Sequence, residues 1–273
     1  MLVSAAGRNL NKNILPVFEI LKRAVLQDND LETTKQIVKE YPACLNKRLI
    51  GPEHGCGLNT LLFTKVLKNC YSFKKIKKQW DMYMFLIDHT DVNIKCNEGD
   101  TVLHIAKYPP IVSKLLEKGA NPFALNHRHE TPLYSACYIR PDSSHSFPNT
   151  NIQCMLDSLP SFEKKKELVN TMAHVPFTHF LKLEYPIQVA VLDSNLDLVK
   201  LFLEYGAEWD DSLVEEGVRS SDIFELFLEY GYSIKPTSYY YTKSFLDTIT
   251  PVKTRVFEEM RFQKLILLLT FLF

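Results

Sequence analysis

The stretch Gly99–Asn126, GDTVLHIAKYPPIVSKLLEKGANPFALN, restricts the fold of this chain more than any other. It carries two short apolar segments separated by Pro109-Pro110 and closed by Gly119. Successive prolines cannot continue a helix, so the first helix is short and the turn into the second is compressed. Ile111, Val112, Leu115 and Leu116 follow the spacing of one helix face. Two helices this short cannot bury their apolar sides alone, so units of the same design are required at a period near ~33 residues. They are present as NHRHETPLYSAC (Asn126–Cys137), YPIQVAVLDSNLDLVKLFLEYGA (Tyr185–Ala207) and SDIFELFLEYG (Ser221–Gly231). Upstream, Gly57–Leu62 and Met82–Ile87 form a stretched unit, and Val17–Pro42 a degenerate first one. The period gives about six units.

Each unit carries its own start and stop signals. Thr131 suits an N-cap and Pro132 the first helical position. Thr101 keeps the cap without the proline, and Tyr185-Pro186 keeps the proline without the capping hydroxyl. Gly119, Gly206 and Gly231 sit just past apolar runs, where a left-handed residue closes a helix at low strain. Leu198, Leu201 and Phe202, and again Ile223, Leu226 and Phe227, form stripes that pack on a neighbouring unit.

Gly99, Thr101, Leu103, His104 and Ala106 fall where the ankyrin repeat has G-x-T-P-L-H-x-A, with Val102 in the proline position. Gly119-Ala120-Asn121 falls on its closing G-A-D/N. On these residues the chain resembles the ankyrin repeat family over roughly residues 17–231, most closely at 97–137 and 185–210. The resemblance implies an all-α solenoid of stacked helix–turn–helix units with hairpin loops on one edge. It implies a protein that binds another protein on its concave surface and loop tips, with no chemistry of its own. It also implies that His104 bonds the backbone and orders the turns between units. The domain reading is an N-terminal segment (1–16), a repeat domain (17–235) and a C-terminal tail (236–273).

Departures from the repeat point to where a partner is held. Hairpin positions ahead of each first helix have no apolar duty, which selects Glu98, Asp100, His127, Arg128, His129 and Glu130. Residues 139–150, IRPDSSHSFPNT, read as a loop inserted between the two helices of one unit. Projecting loops on a rigid scaffold often bind partners, which adds Asp142, His145 and Phe147. The run KVLKNCYSFKKIKK (65–78) mixes lysines with Tyr71 and Phe73. Such runs are usually a solvated face, and without a recognised motif nucleic acid is not the expected partner.

Total charge is balanced, with 32 basic and 32 acidic side chains, but it is segregated. Residues 1–80 hold 14 Lys/Arg against 6 Asp/Glu, and residues 181–230 hold 3 against 12, differences of +8 and −9. Such a dipole steers an oppositely patterned partner and favours salt-sensitive head-to-tail association. The six cysteines form no CxxC pair and read as reduced thiols. The start, MLVSAAGRNLNKN, lacks a secretory signal, and no apolar run is long enough for a membrane span. The expected location is cytoplasmic, with the nucleus, or a host cytosol for an effector, as alternatives.

Chemistry has little support. His54 and Cys56 lie together in GPEHGCG, but a nucleophilic cysteine needs an oriented base, and this segment reads better as the turn leading into a repeat. His127/His129 and His174/His179 lack companion ligands at a zinc spacing. No phosphate-cradling glycine motif occurs. No catalytic residue, metal, cofactor or small-molecule substrate is expected. The competing readings are a ubiquitin-ligase substrate adaptor or effector of the ankyrin type, and a hydrolase using Cys56. The tail matches neither a SOCS box nor an F-box. Its apolar end, Leu265–Phe273, reads as a cap, a partner-binding segment or the edge of a truncated domain.

Overall fold

The computed structural model describes residues 17–46, 49–50, 58–69, 73–137, 148–175, 182–210, 213 and 220–231. The chain divides into two compact units, Met1–Pro186 and Ile187–Phe273. His54, Cys56, Asp142, His145, Phe147, His179 and the tail after Gly231 lie outside the described residues.

The first unit is built from helix pairs. Residues 17–28 form α1, whose last turn, Ala24–Asp28, widens to a π-turn and ends at Asn29 with φ 53°. Asp30 caps α2 (Leu31–Glu40) by accepting from the Thr33 amide at 3.0 Å and the Thr33 hydroxyl at 2.6 Å. A 3-10 turn, Pro42–Cys44, follows. Then come α3 (Leu61–Asn69), α4 (Phe73–Lys78), α5 (Trp80–His89), α6 (Val102–Ile105) and α7 (Pro109–Glu117). The unit continues with α8 (Pro132–Cys137), α9 (Pro148–Asp157) and α10 (Phe162–Val169).

First helices stack in one row and second helices in another. α3 packs against the end of α1 and against α6, and α6 packs against α8. In the other row α5 packs against α7 and α7 against α9. Both rows are filled from inward-facing stripes. Leu62, Phe63, Leu103 and Leu133 are buried in the first row, and Leu86, Ile87, Val112, Leu115, Met155 and Leu156 in the second. Threonine opens three of the first helices. Thr60 accepts from the Phe63 amide (3.2 Å) and Thr131 from the Tyr134 amide (3.1 Å), while Thr101 is tied to His104. Thr131→Val keeps the buried volume and removes the cap, so it should cost about 1 kcal/mol in urea unfolding. An unchanged midpoint would show that the hydroxyl is dispensable.

The expected compression at Pro109-Pro110 is present, since α6 spans only Val102–Ile105 and α7 begins at Pro109. Of the loop expected at 139–150, the part up to residue 147 lies outside the described residues, and residues 148–150 belong instead to the first turn of α9. Two hairpins carry short antiparallel ladders. β1 (Leu49–Ile50) pairs with β2 (Leu58–Asn59), putting Leu49 opposite Asn59 across the GPEHGCG segment. β3 (Ala173–Val175) pairs with β4 (Lys182–Glu184), putting His174 opposite Leu183. The β3–β4 ladder and α10 were not foreseen, since residues 158–184 carry no repeat signature.

The second unit holds α11 (Pro186–Leu192), α12 (Leu196–Glu204) and α13 (Ser221–Glu229). Asn195 caps α12 through the Leu198 amide at 3.1 Å, and α12 packs against α13. Of the stripes the spacing predicts, Leu198, Phe202, Ile223, Leu226 and Phe227 are buried, while Leu201 is half-buried. The two second helices end alike, at Gly206 (φ 77°) and Gly231 (φ 96°).

Candidate functional site: the hairpin ribbon

Two consecutive hairpin turns of the first unit gather six of the selected residues. One turn closes through the Cys96 amide on the Asp100 carbonyl at 2.8 Å, the next through the Asn126 amide on the Glu130 carbonyl at 3.1 Å. Hydrogen bonds join the turns into a ribbon. The His127 amide donates to the Glu98 carbonyl at 2.9 Å, and Lys95 Nζ to the Leu125 carbonyl at 2.6 Å. Asn93 donates to the Gly119 carbonyl and accepts from the Asn121 amide, both at 2.9 Å. Gly99, at φ 82°, lets the turns approach, because a Cβ there would lie 2.8 Å from the His127 amide nitrogen.

Asn126, which the sequence reading did not single out, is the hub. Its amide nitrogen donates to Asp100 Oδ1 (2.8 Å) and Glu130 Oε2 (2.7 Å). Its amide oxygen accepts from the backbones of Arg128 and Glu130, both at 2.9 Å. All four of its hydrogen-bonding positions are used, which makes its burial affordable. Glu130 also accepts from Arg128 Nη2 at 2.8 Å. Burial opposes the Arg128 charge, but Glu130, Asp100 and Glu98 outweigh it and raise the guanidinium pKa.

His104 fastens the ribbon to the helices. Its Nδ1 lies 3.1 Å from the Thr101 amide and 3.0 Å from the Thr101 hydroxyl, and its Nε2 lies 3.1 Å from the Glu130 carbonyl. The amide on one side and the carbonyl on the other assign the proton to Nε2, so the ring is neutral. Burial holds its pKa below the usual histidine range, with Asp100 and Glu130 only partly offsetting it. This is the ordering role the sequence resemblance implies for His104.

The selected residues therefore divide. Glu98, His127, Arg128 and His129 are exposed, Asp100 is half-buried, and Glu130 is buried. His129 holds a left-handed backbone at φ 57°, which fixes the bend of the turn. Glu130 faces inward as part of the network instead of outward as a loop tip. Among the described residues no group of three or more His, Cys, Asp and Glu is placed to hold a metal, and no helix is long and apolar enough to cross a membrane.

Paired short helices, threonine caps, left-handed glycines and a histidine reaching the next turn are the features that the sequence resemblance to the ankyrin repeat implies. No family model matches the chain. Over 58 residues it is 40% identical to a putative ankyrin repeat protein, L86, of Acanthamoeba polyphaga mimivirus, covering 19% of this chain and 10% of that protein. The chain thus matches about a tenth of that relative's length. Among solved structures it is similar to the ankyrin repeat domain of Bcl-3, with a TM-score of 0.46 and 22% identity over 66% of this chain and 75% of that one.

Proposed function

We propose that this chain is a non-enzymatic docking protein that holds a partner protein through its hairpin tips and the adjoining concave surface. One observation carries the reading: the ribbon satisfies its polar interior internally while leaving Glu98, His127, Arg128 and His129 exposed. A partner meeting such tips need not order them first, so less binding energy is lost to immobilisation. Asp142, His145 and Phe147, which lie outside the described residues, are further candidates for partner contact on their sequence alone. Adaptor activity would add a second partner to this scaffold.

The test is affinity capture with quantitative mass spectrometry on wild type and a Glu98→Arg/His127→Glu variant. Both side chains are exposed, so melting should be unchanged while recovery of the specific partner falls at least about tenfold, as for a hot-spot loss. Equal recovery by both proteins would place the partner elsewhere and defeat the reading.

A further inference from the structure

Helix α4 is an addition to the repeat plan. The α6–α7 and α11–α12 pairs are joined by short turns, whereas the pair α3 and α5 carries Phe73–Lys78 between its members. α4 packs against α3 and α5, and Ile76 is its buried anchor. Lys74, Lys75, Lys77 and Lys78 are all exposed and, among the described residues, make no ion pair or hydrogen bond. Lys75, Lys77 and Lys78 lie in the last turn, where a cation suits the helix dipole, but lysines three and four apart on one short helix repel each other.

The complementary surface is on the same sequence. Residues 187–231 hold 11 acidic and 2 basic side chains. α12 and α13 each end in a glutamate, Glu204 and Glu229, with no basic residue in either last turn. A carboxylate there faces the negative end of the helix dipole, an unfavourable place for it. Both glutamates are exposed, make no ion pair among the described residues, and lie near enough to Tyr230 to help burial raise its phenol pKa. Packed helices lie about 8–10 Å apart and a six-residue helix is about 9 Å long, so the two patches match in size.

We propose that the α4 lysines are the docking surface for the glutamate-bearing ends of α12 and α13 in a second copy of this chain. The contact joins unlike surfaces, so it is head-to-tail and grows unless its rotation closes a ring. Its charges are exposed, and salt at 0.1 M screens them beyond about 10 Å, so association is weak and strongest at low ionic strength. A balanced total of 32 basic and 32 acidic side chains favours this partner over a nucleic acid, which the acidic surface would repel.

Sedimentation velocity across a wide concentration range, at roughly 0.02 M and roughly 0.5 M salt, tests this. Wild type should show concentration-dependent association at low salt and sediment as a monomer at high salt. The variant Lys74→Glu/Lys75→Glu/Lys77→Glu/Lys78→Glu and the variant Glu204→Lys/Glu229→Lys should each be monomeric at low salt with unchanged melting. Mixed in equal amounts, they should associate again, because one native pair of surfaces remains. A monomeric wild type at low salt, undiminished association of either variant, or a mixture that stays monomeric would each overturn the proposal. So would lysine-dependent binding of a single-stranded oligonucleotide without self-association.

Discussion

His104→Ala should lower the unfolding free energy by about 3 kcal/mol, since it strips a buried backbone amide and a buried carbonyl of their partners at once. The groups left behind are the Thr101 amide and the Glu130 carbonyl, which the imidazole bridges at 3.1 Å on each side. Water cannot easily replace the ring, because Thr101 and His104 are buried. The wild-type protein should also weaken in mild acid. The unfolded chain takes up a proton on His104 near the ordinary value of 6.5, whereas the folded chain resists it. This contribution is fully present above about pH 6.5 and is lost as the pH falls below it. Urea titrations of both proteins between mild acid and neutrality check the claim. If the two curves stay parallel, His104 does not titrate with folding.

The second large effect lies at the other end of the pH scale. Lys65 is only 2% exposed, and its ammonium donates to the Val25 carbonyl at 2.6 Å and to Asn29 Oδ1 at 2.9 Å. It thereby closes the π-turn of α1 from the neighbouring pair, with the Tyr83 ring 5.8 Å away. Burial pushes its pKa from 10.5 down to about 8. Between those values the folded chain has released a proton that the unfolded chain keeps, so stability should rise with pH across this window. The full shift corresponds to about 3 kcal/mol. That is an upper figure, because the bonds to Val25 and Asn29 favour the charged form. Lys65→Met keeps the buried stem and should abolish the rise. The comparison is a pair of denaturation series from pH 7 to 11, and coincident pH profiles would refute the assignment.

Lys65 also shows where sequence reading fails. It stands at the head of a lysine-rich run and looks like one more solvated charge. Only the packing of α3 on α1 reveals that it points inward, whereas Lys74, Lys75, Lys77 and Lys78 are solvated as such runs usually are. Glu130 misleads in the same way. A charged residue in a turn reads as a tip, but its carboxylate serves Asn126 and Arg128. The threonine caps, helix-ending glycines and His104 were legible, since each is a local solution to backbone geometry that one residue type satisfies well. Asn126 was not, because its role depends on Asp100 of the preceding turn, a contact that no local pattern encodes. The β3–β4 ladder and α10 escaped for want of apolar periodicity in residues 158–184.

The ribbon bonds of the first unit reach only from one turn to the next, as from Glu98 to His127 and from Asn93 to Asn121. A chain tethered this way has no long-distance stitch to share a load. Pulled from its two ends in a force spectrometer, the stretch from α3 to α9 should give way in successive small steps, one helix pair at a time. It should also rezip from whichever pair survives, so that mechanical damage stays local.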